Sequence, residues 1–156
     1  MRRSDRAVTA PDEIRGILER CKVCRLAMSD GEGLYIVPMN FGYALEDGRL
    51  TLYFHSAREG RKIAALTAAP RVAFEMDGGH ALVTGDVPCA YSYTYESITG
   101  TGRAVFCETA AEKIAGLRAI MAHQTGQSFS FTEPMVQNVA VFRVEADAYT
   151  AKARRG

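Results

Sequence analysis

Apolar and polar residues alternate along much of this chain, which is the pattern of strands with one face buried. Turn-forming pairs, Asp30-Gly31 and Asp47-Gly48, separate the first three alternating stretches. The predicted strands are residues 23–29, 34–45, 49–56, 71–76, 95–107 and 139–149. Because short turns join the first three, these strands should pair antiparallel as a meander.

Three other segments have the apolar spacing of helices and carry helix-end signals. The first follows residue 10, the second is 60–69, and the third follows residue 109. Segment 77–92 is the least regular and is interpreted as a long loop or a distorted hairpin, with His80 as a solvated loop residue. The residues that begin or end the helices are Thr9 and Pro11 for the first, Pro70 for the second, and Thr109, Glu112 and Gly126 for the third.

The order of these elements predicts a mainly β fold with flanking helices, a six-stranded antiparallel barrel in one domain spanning residues 1–156. Gly100 and Gly102 mark a bulge or sharp bend of the kind that closes a barrel. A dinucleotide-binding Rossmann fold does not fit. Gly100-Thr101-Gly102 lies inside a strand and lacks the third glycine and the following helix.

Composition narrows the classes of partner. The 156 residues carry a formal charge of +1 with no basic patch, which argues against a nucleic-acid surface. No apolar run has the length of a membrane span or of a signal-peptide core, so a cytoplasmic protein without a membrane partner is expected. The four cysteines are irregularly spaced and include one Cys-x-x-Cys pair, Cys21 and Cys24, without the further ligands of a zinc site. Reduced thiols and no metal are expected.

The stretch from residue 52 to residue 63 is the clearest candidate for binding chemistry. An alternating strand runs into a small-residue loop and then into a helix that begins near Arg61 and Lys62. The first turn of a helix has free N–H groups and the positive end of the helix dipole, and two basic side chains would add donors for a phosphate. The alternative interpretation is a solvated pair of basic residues at a helix start.

Residues 35–43 form a second unusual segment, because Pro38 and Asn40 fall inside a predicted strand. A proline cannot donate to a central ladder. Either a bulge or an edge strand turns free backbone groups toward a ligand there, or the segment is an ordinary edge strand that tolerates a proline.

Read together, these segments resemble the pyridoxamine 5'-phosphate oxidase-like superfamily of FMN-binding split β-barrels, and within it the nitroimidazole-resistance (Nim) type. The similarity extends over most of the chain. The matching residues are Arg6, 14–18, 21–26, 37–43, 53–57, 60–62, 71–74, 95–98 and Gly102.

The resemblance implies a set of FMN contacts. Backbone groups of Val37, Pro38, Met39 and Asn40 would lie along the isoalloxazine edge, and His55 and Ser56 would lie beside the ribityl chain and phosphate. Arg61 and Lys62 would hold the phosphate. Tyr95 and Ser97 would lie near the flavin of the partner subunit, which implies a homodimer with the site at the subunit interface.

The resemblance also implies a function. Tyr35 and Asn40 stand where pyridoxamine phosphate oxidases have basic residues, so that activity itself is not expected. A flavoprotein oxidoreductase is expected, which passes electrons from a reduced donor to a small acceptor such as a nitroimidazole or a quinone-like compound. His55 either donates a proton there or only positions the ligand. The alternative is a non-catalytic flavin, deazaflavin or haem binding module that acts as a sensor, store or carrier.

Overall fold

The computed structural model describes residues 4–155, and the predicted domain extends beyond them at residues 1–3 and 156. Its strands belong to one sheet, and helices cover part of that sheet. The strands are β1 (Ala7–Val8), β2 (Val23–Asp30), β3 (Gly33–Asn40), β4 (Gly42–Glu46), β5 (Arg49–Ser56), β6 (Arg71–Val83), β7 (Ser92–Phe106) and β8 (Ala140–Arg154). The α-helices are α1 (Pro11–Arg20), α2 (Arg61–Ala68), α3 (Ala110–Thr125) and α4 (Glu133–Val136).

The strand order closes the sheet into a split barrel. Neighbours follow the order β3-β2-β6-β7-β8-β5-β4, all pairs are antiparallel, and β1 adds to β8. The two strands at the ends of this path, β3 and β4, are consecutive in sequence and are separated only by Phe41. The sheet must therefore curve until its two edges meet at Phe41, while β3 and β4 do not pair with each other.

The predicted count of six strands was wrong, and the structure of residues 4–155 has eight. Predicted strand 34–45 is divided into β3 and β4 at Phe41, whose side chain is fully buried. Strand β1, of two residues, was not predicted because so short a segment has no measurable period.

Of the two interpretations of segment 77–92, a long loop or a distorted hairpin, the structure has the distorted hairpin. Strand β6 continues to Val83 and pairs with the first half of β7, and a register shift between Gly78 and Ala81 absorbs the irregular sequence. His80 is exposed as predicted, but it lies in this strand. The predicted bend near Gly100 and Gly102 is confirmed by a register shift between Thr101 and Gly102.

Helix ends follow the sequence in part. The capping box of Thr109 and Glu112 is formed at the start of α3, and Gly126 ends that helix in the left-handed conformation, with φ of 71°. Helix α1 begins at Pro11, but its N-cap is Ala10 and no side chain caps it, so the predicted role of Thr9 was wrong.

The core lies inside the curved sheet and is closed by α1, while α3 packs against β4, β5 and β8. Its largest fully buried side chains include Phe41, Phe54 and Phe142, of which the last two are stacked at 5.3 Å between ring centroids. Among residues 4–155, no helix has the length and apolar character needed to cross a membrane.

Candidate functional site

The start of α2 is fixed by the side chain of Arg61. Its guanidinium donates two hydrogen bonds to Asp30, at 2.6 and 3.1 Å, lies 3.2 Å from a carboxylate oxygen of Glu32, and sits 4.6 Å over the ring of Tyr35. These partners lie in and around the β2–β3 turn. Arg61 thus joins α2 to that hairpin, and its charge is already balanced by carboxylates, which raise its pKa further.

Lys62, the next residue, has the opposite surroundings. It is half-buried, and no hydrogen bond or ion pair within residues 4–155 engages its ammonium group. Desolvation lowers the pKa of Lys62. An unpaired, partly desolvated cation at the start of an eight-residue helix has the chemistry needed to hold a phosphate.

Strand β3 is an edge strand, because it pairs only with β2. Its register is unbroken from Val23 opposite Asn40 to Asp30 opposite Gly33, so the bulge considered for this segment is not formed. The missing N–H of Pro38 therefore costs little at this edge. The backbone of β3 on its open side is available to a ligand.

The four β3 residues of the predicted flavin edge do not share one face. Val37 and Met39 turn toward the core, whereas Pro38 is exposed on the outer face. The side-chain amide of Asn40 donates to the Lys22 carbonyl and to the Gln124 side chain, both at 3.1 Å. Asn40 is thus held by neighbours in the protein, and only its backbone remains a candidate contact.

His55 and Ser56 end β5, as predicted, directly opposite Val141 and Ala140 of β8. His55 is exposed, and no described residue forms a hydrogen bond or ion pair with its ring. Four loop residues, 57–60, connect this strand end to Arg61. His55 is consequently a free imidazole a short distance along the chain from Lys62.

Tyr95 and Ser97 lie on β7, two strands away from β2, and no described hydrogen bond or ion pair joins them to α2. Ser97 stands opposite Asp77, and Pro38 stands opposite Arg25, which bonds to Asp77 at 2.6 Å. Cross-strand partners share a face, so Pro38 and Ser97 both lie on the outer face of the sheet. They are three strand spacings apart across the sheet and two residues apart along it, or roughly 16 Å in all. The structure thus places the predicted residues in two groups within one protomer.

A polar network between these groups was not predicted. Arg25 bonds to Glu75 at 3.1 Å as well as to Asp77, and His80 lies 2.8 Å from the other oxygen of Asp77. Burial, followed by the charge of Asp77, raises the pKa of Glu75. Charged residues at alternate positions of β6 were the available signal, but the sequence does not reveal that Arg25 stands between them.

A cavity of about 320 Å³ lies beside α2 and is lined by residues that include Arg58, Ile63 and Val141, and other cavities lie elsewhere. One of about 490 Å³ between α1, β4 and α3 is lined by residues that include Arg15, Glu19, Tyr43 and His123. The two ring nitrogens of His123 lie 2.7 Å from the Phe41 carbonyl and 2.9 Å from that of Leu18. Burial, with the nearby Glu19 carboxylate, raises the pKa of Tyr43 to about 12. These polar groups are thus already engaged with one another and with the backbone.

The four cysteines are free thiols, and within residues 4–155 no cluster of side chains has the ligands for a metal ion. Burial raises the pKa of Cys21 to about 11 and that of Cys24 to about 12. Thiols with such pKa values are poor nucleophiles and metal ligands near neutral pH.

Comparison with known proteins identifies the family of this chain. The family model described as pyridoxamine 5'-phosphate oxidase matches residues 10–153. The chain belongs to this family. Within the family it is similar to the crystal structure of a protein from Bacteroides thetaiotaomicron proposed to give resistance to 5-nitroimidazole antibiotics, at 38% identity and a TM-score of 0.81, over 94% of this chain and 86% of that one. No curated protein matches the sequence.

More distant members of the fold are larger. The flavocytochrome Anf3 from Azotobacter vinelandii is 17% identical with a TM-score of 0.79, over 100% of this chain and 72% of that one. A FAD and haem binding protein from Mycobacterium smegmatis is 16% identical with a TM-score of 0.80, over 97% and 74% of the two chains. Membership of the pyridoxamine 5'-phosphate oxidase family confirms the resemblance predicted from the sequence, and these neighbours agree with the antiparallel split-barrel fold.

Proposed function

We propose that this protein binds FMN at the junction of α2, the end of β5 and the open edge of β3. The observation that carries this proposal is Lys62, a half-buried cation without a partner among the described residues, at the start of a helix. It is a ready phosphate ligand. Arg61 acts as a positioning residue, since its bonds to Asp30 fix where α2 begins.

The remaining contacts follow from the shape of the site. Ser56 offers a hydroxyl at the strand end beside α2, and the backbone of residues 37–40 offers donors and acceptors along the open edge of β3. The phosphate at α2 and the ring along β3 would then be connected by the ribityl chain. The family match and the flavin-binding proteins of the same fold support a flavin as the ligand.

The site is completed in a homodimer. Tyr95 and Ser97 share the outer face of the sheet with Pro38 but lie too far away to contact the same ligand within one protomer. A two-fold axis through this face would bring Ser97 of the partner subunit toward the β3 edge, where it could contact the flavin.

The bound flavin supplies electron transfer from a reduced donor to a small acceptor such as a nitroimidazole or a quinone. The likeness to the Bacteroides protein supports the nitroimidazole. Oxidation of pyridoxamine phosphate is disfavoured, because Tyr35 lies under Arg61 and the Asn40 amide is bonded to protein groups, which leaves neither to hold a substrate phosphate. His55 is exposed and unpaired, so its imidazole can donate a proton or position the ligand.

The alternative function is a non-catalytic flavin, deazaflavin or haem module. The haem-containing proteins of the same fold favour keeping it as the second candidate. The absorption spectrum of the purified protein separates the two ligand classes, because flavin and haem absorb at different wavelengths. A Soret band would support haem and contradict the flavin proposal.

Reoxidation of the reduced flavin tests the reaction. In anaerobic stopped-flow measurements on the reduced holoprotein, we expect a nitroimidazole to reoxidise the flavin faster than buffer does. His55→Ala should retain FMN and slow this step by ~10²-fold if the imidazole is a general acid, and by far less if it only positions the ring. Equal rates with and without acceptor in the wild type would favour the non-catalytic module.

A further inference from the structure

Two tyrosines stand side by side on the outer face of β7. Tyr93 and Tyr95 are two residues apart in the strand, so their rings project on the same side. The Tyr93 side chain is 57% exposed, and Leu82, which faces it across the β6–β7 pair, is 54% exposed. Tyr95 is only partly exposed, so Tyr93 is the open ring on which a flat ring can stack.

Three cations lie along the same part of this face. Arg6 donates to the Tyr95 hydroxyl at 3.3 Å, and its guanidinium carbon lies 6.0 Å from the centre of that ring. On β8, Arg154 stands opposite Tyr95, and Lys152 stands opposite Ser97. Cross-strand partners point to the same face of a sheet, so these side chains lie beside the tyrosines.

These cations are incompletely neutralised. Within residues 4–155, no hydrogen bond or ion pair engages the Lys152 ammonium group, and Arg154 donates to the hydroxyl of Ser92. The nearest ion pair of Arg6 is with Asp5, at 3.9 Å. Asp77, across from Ser97, is already bound by Arg25 and His80. The surface therefore presents an open aromatic ring and excess positive charge together.

We propose that this tyrosine–cation face, made of Arg6, Tyr93, Tyr95, Lys152 and Arg154, binds the base and phosphate of a nucleotide other than FMN. The base stacks on Tyr93, and the phosphate oxygens accept from Lys152 and the arginines. Within one protomer this face is separate from the α2 phosphate site, and it lies next to Ser97, the residue that the proposed dimer brings toward the partner's flavin. The inference rests on the proposed function, because the nucleotide group on this face is bound in addition to a flavin ring and phosphate at the proposed site.

Two ligands could supply this base and phosphate. The nucleotide is either the adenosine half of FAD, whose flavin half occupies the proposed site, or a separate adenine nucleotide such as the nucleotide part of a pyridine-nucleotide donor. Both present an adenine ring with a phosphate. The experiment therefore uses ADP as the probe on FMN-loaded protein and compares FAD with FMN on apo-protein.

Calorimetric titration of FMN-loaded protein with ADP should show binding without release of FMN. Tyr93→Ala and Lys152→Ala should each weaken this binding by about tenfold, the effect of losing one base stack or one charged contact. The matched controls are Phe129→Ala, which removes another exposed ring, and Arg103→Ala, which removes an exposed cation of the neighbouring strand β7. Both controls should bind ADP as the wild type does.

The comparison on apo-protein separates the sources. FAD that binds more tightly than FMN, with the advantage lost in Tyr93→Ala, would identify the adenosine half of FAD. Equal affinities for FAD and FMN, together with ADP binding, would identify a separate nucleotide. Displacement of FMN by ADP, or no ADP binding together with equal FAD and FMN affinities, would overturn the inference. Neither result would affect the proposed flavin site, which fails only if FMN itself does not bind.

Discussion

Arg61 and Lys62, the two basic residues at the start of α2, have different roles because their tertiary contacts differ. Arg61 reaches the β2–β3 hairpin, where Asp30 and Glu32 neutralise it and Tyr35 lies beneath it. Lys62 loses part of its hydration and gains no counter-charge among the described residues. The first therefore builds the site, and the second is free to bind in it.

Substitutions of Lys62 and Arg61 should have different effects on flavin binding. Lys62→Ala should weaken FMN binding by roughly 1.5 to 3 kcal/mol, the range for a hydrogen bond to a charged group, and should leave riboflavin binding unchanged because riboflavin has no phosphate. Fluorescence titration of apo-protein with each flavin measures both. Arg61→Ala is the matched comparison and should weaken both flavins together, because it loosens α2. Unchanged FMN affinity in Lys62→Ala would remove Lys62 as the phosphate ligand.

The sequence could identify Arg61 and Lys62 as candidate phosphate ligands, but it could not show that the two residues have different roles. A strand followed by a small-residue loop and a basic helix start is a local pattern, and it correctly located the ends of β5 and α2 to within a residue. The partners of Arg61 are some thirty residues away, and they meet it only because β2 and β3 form a hairpin beneath α2. No local pattern carries that information. For the same reason, the sequence could not show that the Asn40 amide is bonded to Gln124 of α3.

At the scale of elements, the division between β3 and β4 decides where the barrel opens. A continuous strand was expected through residues 34–45, because the alternation of apolar residues does not show where a strand stops pairing with one neighbouring strand and begins to pair with another. The structure explains the change by a close approach. A Cβ atom at Gly42 would lie 2.4 Å from backbone atoms of Ala119 and Ile120, so α3 reaches β4 at the residue after Phe41.

Gly42→Ala should therefore destabilise the fold by about 3 kcal/mol, the upper end for overpacking, because helix backbone cannot rotate away as a side chain can. Gly31→Ala is the matched control. A Cβ atom there meets nothing within 4 Å, and a change of less than about 0.5 kcal/mol is expected. Urea unfolding followed by circular dichroism measures both. A Gly42→Ala protein as stable as Gly31→Ala would contradict the close packing of α3 on β4.

The β6–β7 hairpin shows a second limit of local patterns. Gly78 and Gly79 interrupt the apolar alternation of β6, and such an interruption suits both a loop and a strand with a bulge. Pairing with β7 decides in favour of the strand, since residues 81–83 continue the ladder opposite residues 92–94. The long hairpin that results carries Tyr93 of the tyrosine–cation face.

At the scale of the whole molecule, β3 is apolar on both faces. Tyr35, Val37 and Met39 face the core, while on the outer face Leu34 is 90% exposed and Ile36 is 64% exposed. Strands with two apolar faces are usually covered on both. A second copy of the chain is the proposed cover, because the same outer face carries Pro38 and Ser97, the two halves of the proposed shared site.

Light scattering tests this arrangement directly. The wild-type protein should be a dimer at micromolar concentration, and Ile36→Glu should be a monomer, because the dimer would have to bury an unpaired carboxylate against apolar side chains. The monomer should also lose FMN affinity, since the contacts of the partner's Ser97 are lost with it. Met135→Glu is the matched control, as Met135 is equally exposed, at 65% against 64%, but lies on α4. That variant should remain a dimer with bound flavin. A wild-type monomer with full flavin occupancy would contradict the shared site while leaving the phosphate role of Lys62 intact.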